Sequence, residues 1–553
     1  SLSVPPAEAY GVASFYGMFA MKPRPVTVVH VCDDIACRTR GAEAVCRSLE
    51  RQIGKPGEAA ESASSTWLRS PCLGLCEHAP AALVQSAGVQ PLDYDLAPTT
   101  VDEIVTVLTA TTATGTPAPR LGSESAERVR PVSAPQSAAP HQHGLRLLRR
   151  VRVVDPESLD DYRAHGGYSA LRRALSIGPE RVLREVTDSK LVGRGGAAFP
   201  TGRKWDAVAR SPVRPHYLVC NADESEPGTF KDRVLMEEDP FALIEAMTIA
   251  GVATGCEKGF LYIRGEYPLA TSRLANAIAQ ARTRGLLGGD VMGEGVRFEI
   301  ELRRGAGAYI CGEETALFNS IEGLRGEPRN KPPFPVQSGL FHKPTVVNNV
   351  ETLMNVLDVI MNGGPAFSQV GTAGSSGTKL FCVSGCATRP GLYEAPFGIT
   401  LGQLIDMAGG VSDGRPLRSV LLGGAAGVFV TPDELDMPLT FEGTRAAGAT
   451  IGSGVVMLFD DTINLSEILI RIASFFRDES CGQCVPCRIG TIRQEEALHR
   501  LTAAQSAASV ESEIALINDL GQVMRDASIC GLGQTASSAI QSALRKLGPV
   551  VPA

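Results

Sequence analysis

No Lys/Arg-rich run occurs in this 553-residue chain, and its formal net charge is -7. Both facts argue against a nucleic-acid surface. No apolar run is long enough to span a bilayer; the nearest, "SVLLGGAAGVFV", is short and broken by glycines. The N-terminus lacks the charged-then-apolar pattern of a signal peptide, and no internal repeat is visible. The chain opens at Ser1 and runs at once into "VPPAEAYGVASFYGMF", an opening that anticipates upstream sequence. What is abundant is glycine, 58 residues, and cysteine, 14 residues. So many cysteines without an export signal point to a reducing compartment and to metal binding rather than disulfides, so the expected location is the cytosol.

A chain of this length should hold three or four domains at about 100–200 residues each. One boundary is plain. Residues 111–143 are rich in Ala, Pro, Ser and Thr with no hydrophobic period, so a flexible linker is expected there. Before it, residues 1–110 read as a small α/β domain: "VTVVHVC" and "AALVQ" as strands, "GAEAVCRSLERQIG" and "TVDEIVTVLTA" as helices. After it, in 144–376, strands such as "HYLVCNA", "GFLYIRG" and "RFEIELRRG" alternate with helices, which predicts an α/β sheet. Short strands and Gly-rich turns in 377–445 predict a small α+β domain, and 446–553 reads as helical.

The cysteines fall into two constellations. Cys481, Cys484 and Cys487, in "SCGQCVPCRIG", are followed by a remote Cys530 in "SICGLGQTA". Closely spaced thiolates also hold zinc, but structural zinc sites usually pair two CxxC units. A three-cysteine cluster completed by one distant cysteine leans toward a four-iron cluster. The second set pairs Cys32 with Cys37 and Cys72 with Cys76, with longer gaps that suit ligands gripping two irons. The other six, Cys46, Cys220, Cys256, Cys311, Cys382 and Cys386, read as small buried hydrophobes.

Between these sets lie loops that individually carry weak signals. "LVGRGGAAFPTGRKW" is neither a Walker loop nor a dinucleotide fingerprint. Its bare backbone N–H groups can still surround an oxyanion, with Arg194 and Lys204 supplying charge. "CNADESEPGTFKDR" crowds Asp223, Glu224 and Glu226 after a strand, where carboxylates commonly receive sugar hydroxyls. "GAGAYICGEETAL" sets Glu313 and Glu314 at a helix start, where capping alone would explain them. "NKPPFP" and "VVNNVET" add Lys331, Phe334, Asn348 and Asn349. Together these loops suggest a site for flat rings, phosphates and sugar hydroxyls.

In order along the chain, "GRGGAAFPTGRKW", "NADESEPGTFKDR", "GAGAYICGEETAL", "RNKPPFP", "VVNNVETL", "ESCGQCVPCRIGT" and "CGLGQTA" resemble the flavin- and NADH-binding subunit of respiratory complex I. The same subunit type serves as diaphorase in NAD-reducing hydrogenases and NAD-dependent formate dehydrogenases. The segment before the linker, through "AEAYGVASFYGMF", both cysteine pairs and "CLGLCEHAP", resembles the thioredoxin-like [2Fe–2S] ferredoxin subunit that accompanies it, with most of that subunit's N-terminal helical part missing. The chain thus looks like a fusion of two subunits.

The resemblance implies an α/β protein with four folded units. These are a thioredoxin-like [2Fe–2S] domain, an FMN- and NADH-binding α/β domain, a small ubiquitin-like α+β domain and a helical [4Fe–4S] domain. It implies that Gly193, Arg194, Gly195, Lys204, Asn221, Asp223, Glu224, Ser225, Tyr309, Gly312, Glu313, Asn348, Asn349 and Thr352 hold FMN. Phe199 and Phe334 would stack on the adenine of NADH, with Glu226, Glu314 and Lys331 near its ribose and phosphates. Glu314 or Glu226 is expected to repel the extra phosphate of NADPH. Cys32, Cys37, Cys72 and Cys76 would hold the [2Fe–2S] cluster, and Cys481, Cys484, Cys487 and Cys530 the [4Fe–4S] cluster. No side chain is needed as a general base, because the flavin itself takes the hydride. Two departures stand out: Ala198 replaces a family glycine, and Ala207 stands where a second aromatic is expected. The fusion favours a soluble complex whose catalytic partner is a molybdopterin formate dehydrogenase subunit. A hydrogenase subunit, a complex I module and a non-catalytic supporting subunit are the alternatives.

Overall fold

The computed structural model describes residues 4–58, 64–110 and 144–548, together with the backbone of 136–137. Three sheets organise it. The first orders its strands Ser65–Ser70, Thr27–Cys32, Ala82–Ser86, Leu92–Leu96. Its inner strand, TVVHVC, is buried throughout, as expected of a β-branched run covered on both faces. Helices Ala42–Gln52 and Val101–Ala110 contribute Cys46, Leu49, Ile104 and Leu108 to its core.

The second sheet is wholly parallel, in the order Glu299–Arg304, Cys256–Ile263, His216–Ala222, Thr345–Asn349. Parallel strands need long crossovers, supplied here by helices such as Pro240–Thr254 and Pro268–Thr283. Pro240–Thr254 carries the apolar stretch PFALIEAMTIAGVAT and is buried along almost its whole length, which makes it a core helix with no solvent face. Strand Thr345–Asn349 comes from "VVNNVET", whose two asparagines read as a loop in the sequence.

The third sheet belongs to the small domain and orders its strands Val428–Val430, Leu417–Leu422, Val455–Asp460, Thr378–Gly385, Gly391–Pro396, Gln136–Ser137. Two of these strands lie outside the expected segment 377–445. Val455–Asp460 pairs with both Thr378–Gly385 and Leu417–Leu422, so the sheet runs past residue 445. The continuous apolar run VVMLFD cannot be told from a buried helical segment by period alone. Gln136–Ser137 pairs in parallel with Tyr393 and Glu394; the remainder of the expected linker, 111–143, lies outside the described residues.

The C-terminal unit is helical, with Leu465–Glu479, Val485–Thr502, Ala507–Ala527, Gly531–Thr535 and Ser538–Leu547. Among the described residues no helix is long and apolar enough to cross a membrane. The six cysteines outside the two sets are all buried, as their apolar contexts suggest.

Candidate functional site

The loops singled out in the sequence gather at the carboxyl ends of the parallel strands, where open α/β sheets bind ligands. Asn221 is the penultimate residue of strand His216–Ala222 and donates from Nδ2 to the Gly312 carbonyl at 2.8 Å. Asn349 closes the neighbouring strand and caps helix Val350–Asn362, accepting from Glu351 N at 3.1 Å. Its Nδ2 donates to Asp232 at 2.6 Å. Asn348 accepts from Trp205 Nε1 at 2.7 Å, which fixes helix Thr201–Ala209 against the sheet. Gly193 to Gly196 lie just ahead of that helix; Arg194 N donates to Thr352 Oγ1 at 2.8 Å, and a Cβ on Gly195 would meet Asn349 at 3.2 Å.

Asp223 faces this crevice. Its Oδ1 accepts from the Ser225 hydroxyl at 3.0 Å, while Oδ2 is buried with no partner among the described residues. Burial pushes its carboxyl up to about 8, with Arg264 opposing the shift. An uncompensated buried carboxylate is costly, so this atom suits a ligand hydroxyl or N–H. Gly312 lies against it: a Cβ there would sit in van der Waals contact with Asp223 Oδ2, at 3.5 Å. The geometry therefore fits the flavin that the resemblance implies.

A four-member ion cluster borders the crevice. Glu313 caps helix Glu314–Ile321 through Thr315 N and Ala316 N, and its Oε1 accepts from Lys331 at 2.8 Å. Glu314 accepts from Lys331 at 2.8 Å and from Lys204 at 3.3 Å. Burial works against the Glu314 carboxylate, but Lys204 and Lys331 outweigh it and hold its pKa below the usual range. Two ammonium groups thus balance the charge that was expected to repel NADPH. Phe199 and Phe334 are 45% and 52% exposed; Arg203 and Lys204 lie 5.9 and 5.8 Å from the centre of the Phe199 ring.

Other expected ligands point elsewhere. The Arg194 guanidinium is fully buried against the small domain, donating to the Ser376 carbonyl at 2.5 Å and lying 4.6 Å over the Phe397 ring. Only its backbone faces the glycine loop. Glu224 is taken up by Thr229 Oγ1, Asp232 N and Arg233 N, at the start of helix Lys231–Glu238. Glu226 accepts from Ala426 N at 2.9 Å, on a small-domain loop, and burial raises its carboxyl to about 7. Tyr309 donates its N–H to Glu479 at 2.8 Å and packs its ring 5.0 Å from Phe475, linking the crevice to the helical unit.

Residues that carried no signal of their own complete the frame. Lys379 donates to Glu351 at 2.6 Å, and Lys231 lies 3.2 Å from Glu351 and 2.7 Å from Asp232. All four are essentially solvent-free. Burial lowers Lys379 to about 8 despite Glu351 beside it.

The two cysteine sets also assemble. Cys32 ends a strand, Cys37 lies on helix Ile35–Thr39, and Cys72 and Cys76 flank a tight loop with their sulfurs 3.4 Å apart. Cys32 neighbours both Cys37 and Cys72. Among the described residues no three His, Cys, Asp or Glu side chains converge to hold a single metal ion. The sulfurs run as a chain of neighbours, from Cys37 through Cys32 and Cys72 to Cys76. In the helical unit, Cys484 caps helix Val485–Thr502, Cys487 sits on its first turn, Cys481 precedes it, and Cys530 caps Gly531–Thr535. A Cβ on Gly533 would lie 2.9 Å from Cys487 Cβ, so the CGLG turn can approach only through glycine. Burial pushes the Cys487 thiol up to about 12 and Cys530 to about 11.

Comparison with known proteins identifies these parts. Residues 1–109 match the thioredoxin-like [2Fe-2S] ferredoxin family, 186–358 the Nuo51 FMN-binding domain, 380–425 the SLBB domain, and 467–551 the NADH-ubiquinone oxidoreductase-F iron-sulfur binding region. The second F-type subunit of the NADH-quinone oxidoreductase of Rhizobium meliloti (strain 1021) is 44% identical over 401 residues, 72% of this chain and 94% of the relative. The chain belongs to the family of NADH-quinone oxidoreductase F-type subunits. A second relative, the NADP-reducing hydrogenase subunit HndC of Solidesulfovibrio fructosivorans, is 44% identical over 72% of this chain and 80% of its own length. Among solved structures, a chain of an NAD+-reducing [NiFe]-hydrogenase in the H2-reduced state aligns with a TM-score of 0.83 at 34% identity, covering 100% of this chain and 89% of that one. As a member of the F-type family, this chain is an NADH dehydrogenase-type oxidoreductase using FMN, a [2Fe–2S] cluster and a [4Fe–4S] cluster.

Proposed function

We propose that the chain is the diaphorase of a multi-subunit redox complex, exchanging electrons between NAD(H) and a catalytic partner. The observation that carries this reading is the buried, unpartnered Asp223 Oδ2 at the carboxyl end of a parallel sheet, in a crevice lined by glycine-loop backbone and asparagine amides. In it, Asn221, Asp223, Ser225, Asn348, Asn349, Thr352 and the Gly193–Gly195 backbone hold the flavin mononucleotide. Lys204, Lys331, Glu313 and Glu314 border the nucleotide, and Phe199 and Phe334 clamp its adenine. Bound FMN supplies the exchange between a two-electron hydride donor and one-electron clusters. The chain's own part would be to hold the nicotinamide against the flavin between Phe199, Phe334 and the glycine loop, and to keep Cys481, Cys484, Cys487 and Cys530 beside the crevice. In this reading the domain boundaries are those expected from the sequence, except that the small domain extends to Asp460, whose strand joins its sheet.

The helical unit offers the exit to a partner. Val485, Ile489 and Ile492 share one exposed helix face. The two half-exposed cluster cysteines, Cys484 and Cys530, have exposed Val485 and Ile529 as chain neighbours. Exposed apolar patches of this kind mark interaction sites. The fusion of two subunits supports a formate dehydrogenase partner over a respiratory one. A hydrogenase partner is the second reading, favoured by the full-length likeness to an NAD+-reducing hydrogenase chain. Purifying the tagged chain with its native partners and assaying NAD+ reduction with formate and with H2 separates them; NAD+ reduction by neither donor defeats both.

A further inference from the structure

Two arginines of the flavin domain reach into the N-terminal cysteine cage. Arg264 follows strand Cys256–Ile263 and is 2% exposed. Its Nη2 donates to the Cys72 carbonyl at 2.6 Å and to Glu266 Oε1 at 2.9 Å; its Nη1 donates to the Glu224 carbonyl at 2.6 Å. The guanidinium lies 5.0 Å over the Tyr267 ring, and Tyr267 presses on the cage loop so closely that a Cβ on Gly74 would fall 2.1 Å from its hydroxyl. Arg233 holds the Gly74 carbonyl at 2.9 Å, but its charge is spent on Glu77 and Glu237. Gly228 of the same loop also donates its backbone N–H to Cys72, and Arg264 adds a charged side chain that bridges the Cys72 carbonyl and the Glu224 carbonyl of the loop that carries Asp223 and Ser225.

We propose that Arg264 is a positioning residue that ties the flavin loop to the cage of Cys32, Cys37, Cys72 and Cys76, and that its buried charge raises the midpoint potential of the cluster held there. The inference rests on the reading of those four cysteines as the ligands of the [2Fe–2S] cluster. Reduction adds one electron, hence one negative charge, to the cage. A buried cation in contact with a ligand's backbone favours that added charge more strongly than it would in water. Glu266 is the opposing charge in contact with Arg264. Asp33 and Asp34, on the cage's own loop, face Arg471 of the helical unit at 3.6 and 3.4 Å.

The test is an anaerobic redox titration of the full chain, loaded with both clusters and followed by EPR, with the [4Fe–4S] signal as internal reference. Arg264→Gln should lower the reduced fraction of the [2Fe–2S] cluster at fixed potential by about tenfold, a shift of about 59 mV for one electron. Arg264→Lys should restore most of it, and Glu266→Gln should shift the midpoint the other way. The reference signal should not move. Unchanged midpoints in Arg264→Gln and Glu266→Gln, with the [2Fe–2S] signal intact, overturn the proposal while leaving the cysteine assignment standing. Should Arg264→Gln fail to fold, an unmoved midpoint in Glu266→Gln overturns it alone. Loss of the signal in Cys72→Ser is required for the cysteine assignment; its persistence overturns that assignment and this inference together.

Discussion

Ala198 holds a backbone conformation that suits glycine: its φ is 51°, in the left-handed region, one residue before the exposed Phe199. A side chain there costs about 1 kcal/mol. Ala198→Gly should therefore stabilise the flavin domain by about that amount, less the extra freedom glycine gains in the unfolded chain; urea unfolding followed by tryptophan fluorescence measures it. Trp205, one of only two tryptophans, reports from the helix that follows this loop. Asp223 makes a pH prediction. A carboxyl whose folded pKa is raised to about 8 binds a proton that the unfolded chain has already lost. Its contribution thus favours the fold at low pH and fades as pH climbs from the ordinary carboxylate range through about 8. In cofactor-free protein, Asp223→Asn should flatten that decline and also weaken FMN binding, read by thermal melts across pH and by flavin fluorescence. A wild-type melting profile that rises steadily over this range would contradict the assignment.

At the scale of elements, two joints bear the architecture. Glu351, on helix Val350–Asn362, receives Lys379 from the small domain's first strand and the backbone N–H of Leu380 at 3.0 Å. Glu351→Gln leaves a buried ammonium without its counter-charge and should cost roughly 3–5 kcal/mol, measurable as a lowered denaturant midpoint. Gly533 is the second joint. Gly533→Ala places a methyl group against Ser528 first and Cys487 next and should lower [4Fe–4S] content while [2Fe–2S] content holds, as iron and sulfide analysis with EPR would show. Much of this scale was legible in the sequence. Strand Thr27–Cys32 announced itself as a β-branched run, the parallel strands as apolar segments alternating with helices, and the glycine loops and cysteine spacings marked where ligands gather. Strand Val455–Asp460 was not legible, because a short apolar run has no period that separates strand from helix. Nor were the turned-away side chains of Arg194 and Glu224, whose partners lie on other elements. Spacing places a residue in a loop but does not say which way its side chain faces.

The whole molecule is a convergence of units on the crevice. Arg233 and Arg264 reach Gly74 and Cys72 in the first unit, Arg471 of the helical unit meets Asp33 and Asp34, and Arg40 donates to the Ala387 carbonyl of the small domain at 2.8 Å. These contacts join positions far apart in the chain, which is why no local motif foretold them. Arg325 of the flavin domain donates to the Cys481 carbonyl at 2.9 Å, so each cysteine set has a contact with that domain, the arrangement that the proposed relay between hydride and single electrons requires. The most direct test is an anaerobic NADH titration of the cofactor-loaded chain, followed by its visible spectrum. The account predicts that the flavin band bleaches together with part of the broader iron–sulfur absorption. A chain carrying flavin and both clusters whose spectrum NADH leaves unchanged would contradict it.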